Sequence, residues 1–570
     1  MRYFLFILCI VLRVQFGYGN RQPNVILIMT DDQGYGDISY HGSPVLKTPN
    51  LDALAKTSVR FTDFHVAPMC TPTRGQLMTG MDAMRNGATA VCQGRSMVRE
   101  EIKMMPEYFK ENGYATGLFG KWHLGDSYPH RPEYRGFEEV LSFGAWGITS
   151  LADYWGNDYF DPVLLKNGNY KKYKGYCTDI FFNEAMNFME QCKDKDKPFF
   201  IYLPTNTPHV PEIVPEEFSK PYQKEYMGKQ LPADFYGMIA NIDENIGKLE
   251  NFLDNNGLKD NTILIFLSDN GTQNSKAQAI YNAGMRAKKA SVYEGGHRVP
   301  LFIRWIDGQL QLNVNINDLT QVQDLLPTLI DLCGLEVSEV DFDGVSLKGL
   351  LDGTKKNLED RMCVSQFNIS GKKWGDAVVM WNKWRLIKEN ELYNIEQDPS
   401  QERNVYKSHT DVAKKMIEFY ETWYSEAEKQ FNKKRYIYVG SKSVTLYSND
   451  WQGGYCDNLK GLIKANTNGY WDLNITEKGN YFIELRRWPE ESQKAITESF
   501  DGITDNGAIP AKKVNLLVAS FNKNKPVKTN DKVIVFKVPL KQGRTTLQTA
   551  FLDEDNVEIC GAMFVKITKE

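Results

Sequence analysis

Cysteine and histidine are scarce in this chain of 570 residues, at nine and seven. No cluster of the two has the spacing of a zinc site, which excludes zinc-finger and zinc-ribbon modules. Cys9 lies among the first 19 residues and Cys70 sits in a motif of its own. The seven others cannot all pair, so a complete disulfide framework is excluded; Cys456 and Cys560 remain a candidate bridge. An excess of one charge is also missing. Lys and Arg number 68 against 72 Asp and Glu, a net charge of -4 without the basic surplus of a general nucleic-acid binder, so no nucleic-acid partner is expected. Long apolar runs are absent. The run from Phe4 to Leu12 is too short for a bilayer, and behind Arg2 and ahead of Gly17 and Gly19 it reads as a secretory signal over residues 1–19. A periplasmic or secreted protein with no membrane span is the expectation. Internal repeats and low-complexity segments are absent too.

Four short apolar runs are present, and each ends in polar chemistry. "NVILIM" (Asn24 to Met29) runs into Asp31-Asp32, "ATGLF" (Ala115 to Phe119) into "GKWHLG", "FFIYL" (Phe199 to Leu203) into "PTNTPHVP", and "ILIFL" (Ile263 to Leu267) into "SDNG". Near-continuous apolar runs of this length predict strands buried on both faces of a parallel sheet. Helical patterns over Thr178 to Cys192 and Tyr236 to Leu253 lie between them, so the class is α/β, and ligands are expected beyond the carboxyl ends of the strands. The α/β domain is read as residues 20–358. A small α+β subdomain over 359–432 follows, with a helix from Asp411 to Gln430. Short strands without helical periodicity predict a β-sandwich-like region over 433–570.

Asp31, Asp32, Asp269 and Asn270 are oxygen donors at two strand ends, the ligand type of a hard cation such as calcium or magnesium. Thr71 reads as the N-cap and Pro72 as the first residue of a helix ending at Gly80, which puts Cys70 at a helix N-terminus that favours an anion or a thiolate. A divalent cation with Arg74, Lys121 and Lys289, set against Asp31, Asp32 and Asp269, leaves a positive pocket suited to a tetrahedral oxyanion.

Cys70-Thr71-Pro72-Thr73-Arg74 resembles the C-x-P-x-R signature of the formylglycine-dependent, arylsulfatase-like sulfatases of the alkaline phosphatase-like superfamily. "GQLMTGMDAMRNG" looks like the family's helix after the motif. "GKWHLG", "RGFEE", "TPHVP", "LSDNG", "YEGGHRVP" and "ELYNIEQDP" follow in the family's order, from about Pro23 to Tyr406. Thr73 in place of the commoner serine, Gly75-Gln76 in place of small residues and Met81 in place of a frequent arginine are departures. They bear on recognition during maturation and not on the catalytic groups.

The resemblance implies an alkaline phosphatase-like fold with a mixed, mainly parallel sheet, and cleavage of sulfate esters, with a sulfated polysaccharide or oligosaccharide as substrate. It implies that Cys70 is oxidised to formylglycine (3-oxoalanine) by a formylglycine-generating or radical maturation enzyme. The hydrated aldehyde carries a second hydroxyl whose deprotonation expels sulfate, a release step that a serine lacks. One Ca2+, rather than Mg2+, would be held by Asp31, Asp32, Asp269, Asn270 and the modified Cys70, and Asp269 would also activate the attacking hydroxyl. Arg74 would hold the modified side chain, Lys121 the sulfate, and His123 would take the proton during elimination. His209 and Lys289 would sit at the ester oxygen and help the alcohol depart, with Lys289 chosen over Lys288 by its five-residue spacing from Glu294. The competing readings are a phosphodiesterase or phosphonate hydrolase of the same superfamily, and a silent glycan-binding protein with unmodified Cys70. The aromatics of "DYWGNDYF" (Asp153 to Phe160) read either as a sugar subsite or as packing, and the arginines of "ELRRWPEE" (Glu484 to Glu491) as a solvated strand end.

Overall fold

The computed structural model describes residues 22–367 and 369–570. The expected signal stretch lies outside them. The four apolar runs form the strands Asn24–Thr30, Ala115–Lys121, Phe199–Pro204 and Thr262–Ser268. With Glu139–Phe143 they make the parallel centre of a ten-stranded mixed sheet, in the order 262–268, 24–30, 199–204, 115–121, 139–143. Antiparallel strands flank this centre, Leu301–Arg304 on one side and Val163–Lys166 on the other. Along Asn24–Thr30, Val25, Leu27 and Met29 enter one hydrophobic cluster, and Ile26 and Ile28 enter another on the opposite face. Thr262–Ser268 divides in the same way, Ile263, Ile265 and Leu267 against Leu264 and Phe266. That two-sided burial is why the runs are almost unbroken in apolarity, and each such side chain contributes about 1.5–3 kcal/mol.

The two expected helices span Cys177–Asp194 and Ala233–Asn255 and pack against the second of these faces through Phe181, Ala185, Ile242 and Leu249. Further along the chain, Met362–Gln366, Ala377–Trp381, Trp384–Ile387 and Glu391–Asn394 form an antiparallel meander covered by the Thr410–Phe431 helix. The last region holds a seven-stranded and a four-stranded sheet around one core. Trp471 and Leu473 come from the first sheet, and Ile483, Phe536 and Ile567 from the second. No helix among the described residues is long and apolar enough to cross a membrane.

Two expectations are corrected, and of the two readings of the "DYWGNDYF" aromatics Trp155 follows the packing one. Cys456 and Cys560 are separate buried thiols, because Cys456 Sγ turns to the Met563 thioether sulfur at 3.6 Å inside the sandwich core. Arg487, read as part of a solvated strand end, is buried and donates to the carbonyls of Ile496 at 3.3 Å and Glu498 at 3.2 Å. Trp155 of "DYWGNDYF" packs edge-on against Trp488, with centroids 5.8 Å apart, and joins the sandwich core.

Candidate active site

Sheet register brings the acidic pairs together. Thr30 lies opposite Ser268 in the parallel ladder, so Asp31-Asp32 and Asp269-Asn270 leave adjacent strands side by side. The Asp269 amide donates to Thr30 O at 3.1 Å and the Asp32 amide to Asp269 Oδ1 at 3.1 Å. Asp32 has φ 69°, a left-handed conformation that aspartate tolerates better than most residues. Lys121 ends the next strand but one and His123 follows it; His209 stands on the loop after Phe199–Pro204. All four strand ends thus point their polar residues at one place. Gly271, directly after Asn270, passes so near Gly295 that a Cβ there would sit 1.8 Å from its carbonyl oxygen. Only glycine allows this approach, which brings the segment carrying Lys289 against the acidic pairs.

Cys70 is the first residue of the helix Cys70–Thr79, and Gly80 ends it with φ 66°. The N-cap is Met69 and not the expected Thr71: the Thr73 amide donates to Met69 O at 3.3 Å, which starts the helix earlier. Arg74, one turn on, is fully buried and donates through Nη2 and Nε to Asp269 Oδ2 at 2.6 and 3.1 Å, and through Nη1 to Tyr202 Oη at 3.3 Å.

Three cations therefore meet three carboxylates. Arg74 pairs with Asp269, Lys121 with Asp31 at 2.6 Å, and Lys289 with Asp32 at 2.7 Å. Lys288 instead donates to Gln273 O at 2.9 Å, so Lys289 is the lysine in the site. Burial lifts the Asp31 carboxyl to about 8 against the pull of Lys121. Burial works in the same direction on Asp32, but Lys289, His209 and Lys121 override it and hold that group at about 2. Asp31 Oδ1 and Asn270 Oδ1 are buried and accept no hydrogen bond. Two orphaned oxygens in an all-oxygen donor set, beside a carboxyl that resists ionising, fit a hard divalent cation. His209 joins Asp31 and Asp32 with ligand atoms all within 4.8 Å of one another.

The histidine tautomers follow from their partners. His123 Nε2 lies 3.1 Å from Val91 O, which can only accept, so Nε2 carries the proton and Nδ1 turns its lone pair to Cys70 Sγ at 3.5 Å. His209 Nδ1 donates to Val210 O at 2.7 Å, leaving Nε2 3.6 Å from Asp32 Oδ2. Burial, with Lys121 and Arg74 nearby, depresses His123 well below its ordinary value, and burial takes His209 to about 3. Both rings are neutral at physiological pH. Burial also raises the Cys70 thiol, so the unmodified residue is not the thiolate that its helix position favours.

A second buried cluster escaped the sequence reading. Arg385, from the small subdomain, donates to Glu294 at 2.7 Å and Asp63 at 2.6 Å; Asp63 in turn accepts from His65 at 2.9 Å. His65, Glu294 and His297 have metal-like proximity, but the Arg385 guanidinium already neutralises this acidic group. Glu294 had served only as a spacing marker, and an arginine within a short strand carries no signal of burial.

The sulfatase family profile matches residues 23–335, and the profile of the N-sulphoglucosamine sulphohydrolase C-terminal region matches residues 286–424. The chain belongs to the sulfatase family. It is 31% identical over 360 residues to arylsulfatase A of Homo sapiens, covering 59% of this chain and 69% of that protein. It is 30% identical over 357 residues to N-acetylgalactosamine-6-sulfatase of Rattus norvegicus, covering 57% and 65%. The chain thus spans just under two thirds of the length of the rat protein. A crystal structure of Ps i-CgsB in complex with k-i-k-neocarrahexaose superposes with TM-score 0.65 at 30% identity, covering 73% of this chain and 95% of that one.

Proposed function

We propose that this protein is a sulfuric ester hydrolase that removes sulfate from sulfated carbohydrate after export to the periplasm or the extracellular space. The observation that carries the reading is the convergence of Cys70, Arg74, Lys121, His123, His209 and Lys289 on the acidic cluster of Asp31, Asp32, Asp269 and Asn270. The sugar ligand of the structural neighbour and the hexosamine sulfate in the relative's name support the carbohydrate class.

Cys70 is the residue that a formylglycine-generating or radical maturation enzyme would convert, and formylglycine would supply a hydrated aldehyde as nucleophile. Ca2+ would be held by Asp31, Asp32, Asp269 and Asn270 with the modified Cys70, adding positive charge for the sulfate oxygens. Arg74 orients Asp269 against the position of Cys70. Once a cation takes up Asp31 and Asp32, the Lys121 and Lys289 ammonium groups are free to bind sulfate oxygens. The Nδ1 lone pair of His123 accepts a proton from the residue 70 side chain. His209 lies beside Lys289 at the more open end of the site, where the leaving oxygen would sit, and the Lys289 ammonium is the donor there, because His209 Nε2 carries no proton while Nδ1 donates to Val210 O. With converted protein, release of nitrophenol from 4-nitrophenyl sulfate should exceed that from bis(4-nitrophenyl) phosphate; the reverse order makes the protein a phosphodiesterase instead.

Calcium binding should depend on pH. The Asp31 carboxyl titrates near 8 when only protein groups surround it, against 3.8 for an ordinary aspartate. Without the cation, the folded state then holds a proton that the unfolded chain has lost, and stability falls as pH rises from about 4 to about 8. Ca2+ displaces that proton, so its affinity should rise about tenfold per pH unit up to about pH 8 and level off above. Calorimetry in buffers of different ionisation enthalpy should count one proton released at pH 7; a pH-independent affinity contradicts this assignment of Asp31.

A further inference from the structure

The groups around Cys70 differ in accessibility. Cys70, Arg74, Lys121 and His123 are almost wholly buried, whereas the side chains of His209 and Lys289 remain 13% and 16% exposed. A substrate therefore reaches residue 70 past His209 and Lys289, the side on which the departing alcohol lies in the proposed reaction. Trp146 flanks that approach. Its ring centroid is 5.3 Å from that of His209 with the planes tilted by 37°, and the indole is half-buried.

The loop that carries Trp146, residues 144–153, is tied to the terminal β region over a sequence distance of more than 300 residues. Trp146 Nε1 donates to Asp457 O at 3.0 Å, and the Leu151 amide donates to the same carbonyl at 3.2 Å. The Ala145 amide donates to Asp126 Oδ1 at 2.7 Å, and the Asp126 amide to Asp450 Oδ2 at 3.2 Å. The indole N–H is thus consumed by the β region, which fixes the ring while leaving it part-open beside His209. A flat ring with its polar atom satisfied elsewhere is a surface for the apolar face of a six-membered ring, and holding it rigid in advance saves ordering entropy on binding.

We propose that Trp146 is a substrate-binding residue whose indole face receives the ring bearing the leaving oxygen, a pyranose when the substrate is a sulfated carbohydrate. The proposal rests on the hydrolase reading above and adds to it a ring-binding position built by the terminal β region.

The test uses full-length protein with Cys70 converted, 4-nitrophenyl sulfate as a ring-bearing substrate and inorganic sulfate as a ring-free competitor. Trp146→Ala should raise KM about 10-fold or more with kcat within about threefold of wild type, and Trp146→Phe should recover most of the loss. The inhibition constant of inorganic sulfate should not move. A fall in kcat at unchanged KM overturns the proposal, because the indole then acts only by orienting His209. Unaltered kinetics overturn it, as does a parallel weakening of inorganic sulfate. If converted wild-type protein releases no sulfate at all, the hydrolase reading fails and the proposal falls with it; activity in wild type with an indifferent Trp146→Ala sinks the proposal alone.

Discussion

Replacing Cys70 by alanine should lower sulfate release by about 10⁴-fold or more while leaving the fold in place. Every charged or titratable side chain around Cys70 already has a partner. Asp31, Asp32 and Asp269 are buried against Lys121, Lys289 and Arg74, and both neutral imidazoles are committed to carbonyl acceptors by one nitrogen. None of them is a nucleophile aimed at a bound sulfate, so only water is left when residue 70 cannot react. Structurally the thiol gives up little. It makes one hydrogen-bonding contact, to His123 at 3.5 Å, and its removal should cost about 1 kcal/mol. Melting temperature and circular dichroism of Cys70→Ala should therefore match wild type closely, and a variant that is inactive because it has unfolded contradicts this account.

Arg385→Ala should be strongly destabilising. The guanidinium is fully buried and bridges Glu294, on the segment that presents Lys289, and Asp63, next to the central sheet. Burial alone would lift both carboxyls, but Arg385, with His65 and Arg298, overrides it, holding Glu294 at about 2 and Asp63 lower still. For such depressed carboxyls the stabilisation is present above the ordinary carboxylate range and is lost as pH falls through the folded values, so it is complete at neutral pH. Removing the arginine strips the main counter-charge from two buried carboxylates, leaving Asp63 with His65 at 2.9 Å and Glu294 with Arg298 at 3.3 Å, at about 3–5 kcal/mol. Arg385→Lys should recover only part, because one ammonium cannot reproduce the planar fork that reaches both partners. Thermal unfolding at pH 7 measures this; an Arg385→Ala protein as stable as wild type refutes it.

Much of the fold was legible because parallel strands buried on both faces leave a plain mark, an unbroken apolar run ending in polar residues. The acidic pairs could be matched to metal chemistry for the same reason, since ladder register places successive strand ends side by side. Lys289 was separable from Lys288 only through its spacing from Glu294, and the structure places it on Asp32. Other features were not local enough to read. The helix begins at Cys70 because Met69 caps it through backbone alone, with no side-chain signal. The strand Gly543–Leu552 opens with Gly-Arg-Thr-Thr, all exposed or half-exposed, and so resembles loop sequence. Trp146 lies in a glycine-flanked loop, and its partner Asp457 is 311 residues away. Arg385 reads as an ordinary strand arginine until the subdomain docks it between Glu294 and Asp63.

The most direct test is the mass of the peptide containing Cys70, taken from protein made in its native host and exported, alongside sulfate release by the same sample. Conversion of the thiol to the aldehyde makes the peptide about 18 Da lighter, and the account predicts that shift together with activity proportional to the converted fraction. An unmodified Cys70 in a sample that still releases sulfate would contradict the mechanism. An unmodified Cys70 in an inert sample that binds sulfated glycan would make this chain a binding protein on a sulfatase fold.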